Sequence, residues 1–189
     1  MYLCDMKKIR KPKYSSYVVD LEPFAEILWV TIQQYNQSQG YTKDRLKWTI
    51  DREVRFWTDG RVPYISKTIA DIFINEYSNE NPFDIRYDNR KRYGMITLDK
   101  IKQSRFMLEH TTPVGECIVN LVKSESLEDI KNIMKNYSGV CVLTREEDNC
   151  LNKNGFRRKR KDGWKMAYDK CGIDVMTEKE FMDYKNKIN

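Results

Sequence analysis

This 189-residue chain predicts an α+β fold, mainly helical, and three features carry the prediction. Apolar residues recur at three- and four-residue spacing through most of the chain, the period of a helix with one buried face. Val140-Cys141-Val142-Leu143 is short, apolar and partly β-branched, the composition of a buried strand. Phe83-Asp84-Ile85-Arg86-Tyr87 alternates in the manner of a half-buried strand, and the polar turn Asp88-Asn89-Arg90-Lys91-Arg92 leads back through Tyr93-Gly94-Met95-Ile96. That pattern describes a β-hairpin with a basic tip. A content of 40% hydrophobic and 12% aromatic residues is enough to build a core of this kind.

In chain order, Met1 to Tyr17 mixes Lys7, Lys8, Arg10, Lys11 and Lys13 with three tyrosines. Such an arm suits either a phosphate backbone with stacked bases or a solvated leader. Asp20 is placed to cap a helix from Leu21 to about Tyr35, with Phe24, Ile27, Leu28, Thr31, Ile32 and Tyr35 on its apolar stripe. After Gly40, Thr42 can cap a second helix in which Leu46, Ile50, Val54 and Trp57 share a face, while Arg52 and Arg55 lie among the basic residues of the others. Asp59-Gly60 reads as a turn, and Pro63 suits the first turn of a third helix through Ile65, Ile69, Ile72, Phe73 and Tyr77. Three helices followed by a basic hairpin is the order of a winged-helix domain, so residues 1–96 are expected to form a winged-helix-like, nucleic-acid-binding half with Arg90, Lys91 and Arg92 on phosphate.

Residues 97–189 form a second half. Thr97 heads a short helical stretch, and Arg105 to Leu108 leads into Glu109-His110 in a conformation the pattern leaves open. Val114 to Val122 reads as a buried helix, and Ser126 precedes a second one through Leu127, Ile130, Ile133 and Met134, with Glu128 and Asp129 in its first turn where the helix dipole favours anions. The strand Val140–Leu143 runs into Thr144, with Glu147 three residues on in capping-box spacing, and Gly155 is the expected stop of the helix that follows. Thr177 and Glu180 repeat the capping-box spacing at the head of a last helix carrying Phe181, Tyr184 and Ile188.

Charge narrows the partner. The formal net charge is +6 with one-third of all residues charged, and the excess is locally concentrated. Phe156-Arg157-Arg158-Lys159-Arg160-Lys161-Asp162-Gly163-Trp164 is the densest positive run, flanked by aromatics. Phosphate is its natural partner, and a solvated loop pinned by Phe156 and Trp164 is the alternative. Five cysteines, an odd number without a CxxC pair, suggest neither a disulfide framework nor a zinc ribbon. No apolar run approaches the ~20 residues needed to span a bilayer, so the expectation is a cytoplasmic protein that does not engage a membrane. Isolated glycines exclude a P-loop nucleotide site, and no cysteine sits in a nucleophile signature.

Chemistry centres on Leu108-Glu109-His110-Thr111-Thr112-Pro113, which holds the chain's one histidine with a carboxylate beside it. Metal-assisted phosphodiester hydrolysis needs hard oxygen ligands, a base near neutral pKa and positive charge for phosphate, and this half of the chain supplies all three. Glu-His-Thr-Thr-Pro, a helical spacer, then Val-Cys-Val-Leu-Thr-Arg-Glu-Glu-Asp-Asn-Cys-Leu resembles an HNH-related (ββα-metal-like) group of uncharacterised bacterial and phage proteins. The resemblance covers roughly residues 105–173. It implies an HNH-like fold for the second half, with Glu109 and Asp148 as ligands of a divalent metal (Mg or Mn) and His110 as the general base. Read from the residues alone, Asp148 is also a first-turn acid that stabilises a helix N-terminus, and His110 a hydrogen-bonded structural residue.

Two functions follow as expectations. One is a nucleic-acid-binding protein with metal-dependent endonuclease activity, contacting DNA or RNA through Arg157, Arg158, Lys159, Arg160 and Lys161, the tip Arg90 to Arg92, and Arg52 and Arg55. The other is a non-enzymatic regulator or inhibitor of the phage or mobile-element kind, anti-CRISPR-like, gripping DNA, guide RNA or a nucleoprotein complex with the same surfaces.

Overall fold

The computed structural model describes residues 21–59, 62–85, 105–137 and 139–188. The N-terminal arm, the cap at Asp20, the hairpin from Arg86 to Ile96 with its tip Arg90-Lys91-Arg92, and the helix headed by Thr97 all lie outside these residues. Among the described residues the chain is α+β and mainly helical, with eight α-helices and four short strands. None of the described helices is long and apolar enough to cross a membrane.

Helices α1 (Glu22–Gln37) and α2 (Gly40–Asp59) pack on each other. On α1 the buried stripe is Ala25, Leu28 and Ile32, with Phe24 and Tyr35 partly buried beside it. Ile27, expected in that stripe, is half exposed, because a residue one step from Leu28 is rotated about 100° away. On α2 the expected face is the buried one: Ile50, Val54 and Trp57 pack against α1 and against α4 (Val114–Leu121) and α5 (Leu127–Asn136). Each fully buried large side chain of this kind contributes about 1.5–3 kcal/mol by leaving water.

The third helix begins later than the apolar spacing predicts. Tyr64–Ser66 is a strand, β1, and α3 runs from Lys67 to Glu76. Ile65 falls at helical spacing from Ile69 but belongs to the sheet. Ser66, in extended backbone, ends the strand and caps the helix by accepting the Ile69 N–H at 3.2 Å. A second correction concerns Phe83 to Ile85, which was expected to be a strand. Pro82–Asp84 is instead a 3-10 turn, opened by the Asn81 side chain accepting the Phe83 N–H at 3.0 Å. An Asx-type bond to the residue two positions on competes with sheet pairing at that point.

The sheet has the order β2-β3-β1-β4, with β2 spanning Phe106–His110, β3 Val140–Thr144 and β4 Val175–Met176. β2 runs antiparallel to β3, β1 parallel to β3, and β4 antiparallel to β1. The sheet therefore draws strands from both sides of residue 96. β3 is buried along its whole length, as its apolar sequence predicts for a strand covered on both faces. One face, with Phe106, Leu108, Val140, Val142 and Ile65, packs on α3 and on Phe181 of α8 (Glu178–Ile188). The opposite face, with Cys141 and Leu143, packs on Leu151 of α6 (Arg145–Lys153) and Ala167 and Tyr168 of α7 (Gly163–Lys170).

Of the caps expected within the described residues, those at Thr144 and Thr177 form. Thr42 instead lies inside α2, which already starts at Gly40, and Ser126, expected only ahead of its helix, closes a further box. Ser126 with Asp129, and Thr144 with Glu147, close reciprocal capping boxes on α5 and α6. Thr177 and Glu180 exchange the same bonds at the head of α8. Glu147 Oε2 also accepts the Ser66 hydroxyl at 2.8 Å, which ties the two parallel strand-to-helix junctions together. Cys117, Cys141, Cys150 and Cys171 are all free thiols.

Candidate nucleic-acid interface

The site is built around β2. In an extended strand neighbouring side chains leave on opposite faces, and Glu109 and His110 do so. Glu109, opposite Cys141 in the ladder, faces α6 and α7, whereas His110, opposite Val140, faces the side of α2. His110 is 9% exposed. Burial and the nearby positive charge of Arg55 lower its pKa to about 4, although Asp51 pulls the other way. The imidazole is therefore neutral at physiological pH.

Glu109 lies close enough to Asp148, on the first turn of α6, to feel its charge, so the structure brings these two expected ligands to one face and sends His110 to the other. Burial raises the Glu109 pKa; the Arg160 guanidinium opposes that and the Asp148 charge adds to it. Burial likewise raises the Asp148 pKa, against the pull of Asn152, whose amide donates to Asp148 Oδ2 at 3.1 Å, and of Arg145 and Arg157. Among the described residues no group of three or more His, Cys, Asp or Glu side chains is placed to hold a metal ion.

Arg160 departs most from expectation. It was grouped with the phosphate-contacting residues of the basic run, yet it is 3% exposed. Its guanidinium pairs with Glu109 Oε1, donates to the His110 carbonyl at 2.6 Å and to the Thr111 carbonyl, and lies 5.4 Å from the centre of the Tyr168 ring. Its backbone N–H donates to Glu116 Oε2 at 3.1 Å. Arg160 is thus the anchor of the loop. A buried arginine survives only when paired and hydrogen-bonded, and the acid that pairs it is the proposed metal ligand Glu109. The partners Glu116 and Tyr168 carry no local sequence signal that would have marked them.

With Arg160 turned in, Arg157, Arg158, Lys159 and Lys161 are exposed on the loop around it. Gly155 and Gly163 bound the loop with φ of 81° each, backbone that a side chain would strain. Phe156 and Trp164 pack into the core beneath, as the flanking aromatics suggested. The loop is therefore pinned at both ends and in its middle.

A second basic surface runs along α2. Tyr41, Arg45, Trp48, Arg52 and Arg55 fall at spacings of three and four on the side away from Ile50 and Val54. Trp48 is 50% exposed, with the guanidinium carbons of Arg45 and Arg52 at 5.1 Å and 4.8 Å from its ring. Arg55 is held by Asp51 at 2.8 Å. The tip residues Arg90, Lys91 and Arg92 lie outside the described residues.

No protein-family model, curated protein or solved structure matches this chain.

Proposed function

We propose that the chain is a nucleic-acid-binding protein that grips the sugar-phosphate backbone through the loop Phe156–Trp164, acting as a non-enzymatic regulator of a nucleic acid or nucleoprotein complex. The observation that carries this reading is the division of the basic run. One arginine is spent on a buried anchor, and four cations are held outward on a loop that is already ordered. An ordered loop loses little conformational freedom on binding, so more of the electrostatic gain is retained as affinity. Arg45 and Arg52 over Trp48 on α2 supply a further surface of the same chemistry.

Metal-dependent cleavage is not part of the proposal. Its base and its ligand would have to share a site, and Glu109 and His110 occupy opposite faces of the sheet. The HNH-like reading retains one point of support: β2 and β3 are antiparallel neighbours followed by α6, the ββα order, with α4 and α5 in place of a hairpin. The winged-helix reading of the first half loses its strictly helical third element, since β1 is inserted ahead of α3 and pairs inside the sheet.

The test is salt-dependent binding of single- and double-stranded oligonucleotides. Each phosphate neutralised contributes about −0.9 to the slope of log affinity against log salt on duplex, and about −0.7 on single strands. Replacing Arg157, Arg158, Lys159 and Lys161 together by Gln should flatten the slope by up to about 3.6 units on duplex and about 2.8 on single strands, and leave the thermal melt nearly unchanged, because exposed charges contribute little to stability. An unchanged slope in that variant refutes the loop as the contact surface.

A further inference from the structure

We infer that the cleft between α7, β1 and β4 is a nucleobase pocket, selective for bases that present N–H donors, which takes one base of a strand whose backbone lies on the basic loop; the inference rests on the nucleic-acid reading above. The cleft has a volume of about 460 Å³, within the range of roughly 300–1,000 Å³ usual for small-ligand sites. Its wall is aromatic and apolar. Tyr64 and Trp164 have ring centroids 4.8 Å apart, Trp164 meets Tyr168 edge-on at 5.3 Å, and Ile173 and Val175 complete that side. Tyr168 and Ile173 are buried behind this wall, so the surface on which a planar heterocycle can stack is that of Tyr64 and Trp164, the latter backed by Tyr168.

The polar lining points to the kind of heterocycle. Asp169 and Asp174 both line the cleft and are exposed. A third acid, Glu180, is already engaged by the Thr177 backbone and hydroxyl at 2.7 Å each. Carboxylates accept hydrogen bonds and the Lys165 ammonium, also in the lining, donates them, so a ligand that suits the cleft brings N–H donors beside an acceptor. Guanine offers N1–H and its 2-amino group side by side, a match for one carboxylate. Adenine and cytosine offer a single amino group, and thymine or uracil an imide N–H set between two repelling carbonyls.

Position decides between a base and a free amine. Trp164 and Lys165 follow directly on the loop that carries Arg157, Arg158, Lys159 and Lys161, and Lys165 Nζ sits 5.6 Å from the Trp164 ring centre. Asp169 and Asp174 alone would attract a small amine as well, and those cations are what favours an anionic ligand over it. The same cations attract a nucleotide, whose phosphate can rest on the loop while its base turns inward. Backbone grip and base selection would thus be adjacent parts of one surface.

The test uses full-length protein and fluorescently labelled eight-residue thymidine strands, either unmodified or with one central thymidine replaced by guanosine, adenosine or cytidine deoxynucleotide. Anisotropy titrations at low salt should show the guanine strand binding about fivefold or more tighter than the all-thymidine strand, the lower end of what a two-bond base contact discriminates. The variant carrying both Asp169→Asn and Asp174→Asn, at two exposed positions, should lose that ratio while still binding the all-thymidine strand at least as well as the parent. Trp164→Ala should weaken all four strands alike. Salt-sensitive binding that is blind to the central base, or a guanine preference retained in the double Asn variant, overturns the pocket and leaves the loop reading intact. Failure of the parent protein to bind any strand at low salt overturns the nucleic-acid reading itself, and the pocket with it.

Discussion

Replacing Arg160 by Met keeps an unbranched side chain in the same space and removes the guanidinium. Three interactions are lost together: the ion pair to Glu109 and the bonds to the carbonyls of His110 and Thr111. Breaking a buried ion pair by removing one partner costs about 3–5 kcal/mol, because the remaining charge is left unpaired. The Glu109 side chain is 23% exposed, and residual contact with water places the expected loss near 3 kcal/mol, the lower end of that range. For a chain of this length a loss of that size lowers the melting temperature by about 6–12 °C. Proton linkage gives the prediction a second signature. The folded-state pKa of Glu109 already lies above its ordinary value, and the guanidinium is the main influence holding it down. Without Arg160 it rises further, so the folded variant binds a proton more readily than the unfolded chain. Its deficit against the parent should therefore shrink as pH falls from 7.5 toward 5. Urea unfolding followed by circular dichroism at both pH values measures this, with Glu109→Gln added to the Arg160→Met background as the partner test. The double variant should recover much of the loss, since the orphaned charge is gone. A loss below about 1 kcal/mol, or a larger one that neither acid nor Glu109→Gln relieves, would refute the account of Arg160 as a paired anchor.

His110 is the chain's one histidine, so its imidazole resonances in an NMR pH titration are unambiguous, and their midpoint should fall near 4 in the folded protein. Because the folded pKa is depressed, the unfolded chain takes up a proton first as pH drops below about 6.5, and stability should decline by up to about 3 kcal/mol between there and pH 4. His110→Gln should flatten that decline, and a midpoint near 6.5 would refute the buried, neutral assignment. Glu147→Ala removes the acceptor shared by the Thr144 N–H and the Ser66 hydroxyl and should cost about 1–2 kcal/mol in denaturant unfolding. Ser66→Ala should add less in that background than alone, and full additivity would show that the two junctions are not coupled.

What the sequence disclosed was local. The capping boxes at Thr144 and Thr177 need only a hydroxyl and an acid three residues apart, so the helix starts they mark were legible, as was β3 from its apolar run. β1 was not. Three residues are too few to establish an alternation, and Ile65 stands at a spacing from Ile69 that suits a helix equally well; pairing with β3 and β4, distant in the chain, decides the matter. The Glu109-His110 pair misled for a related reason. Adjacency in sequence suggests a shared site, but once β2 is extended, adjacency guarantees opposite faces.

Arg160 shows the limit from the other side. Nothing local separates it from Arg158 or Lys159, because its identity as the anchor is written in Glu109, His110, Thr111 and Glu116, which lie 44 to 51 residues away. The consequence for binding follows from the physics of the two roles. The slope of affinity against salt counts the cations that meet phosphate, which on the proposed reading would be Arg157, Arg158, Lys159 and Lys161. The absolute affinity also carries the cost of ordering the loop, which Arg160 has met in the free protein. On that reading one charge of the run would act on the height of the binding curve and four on its steepness, a division that a count of positive residues cannot reveal.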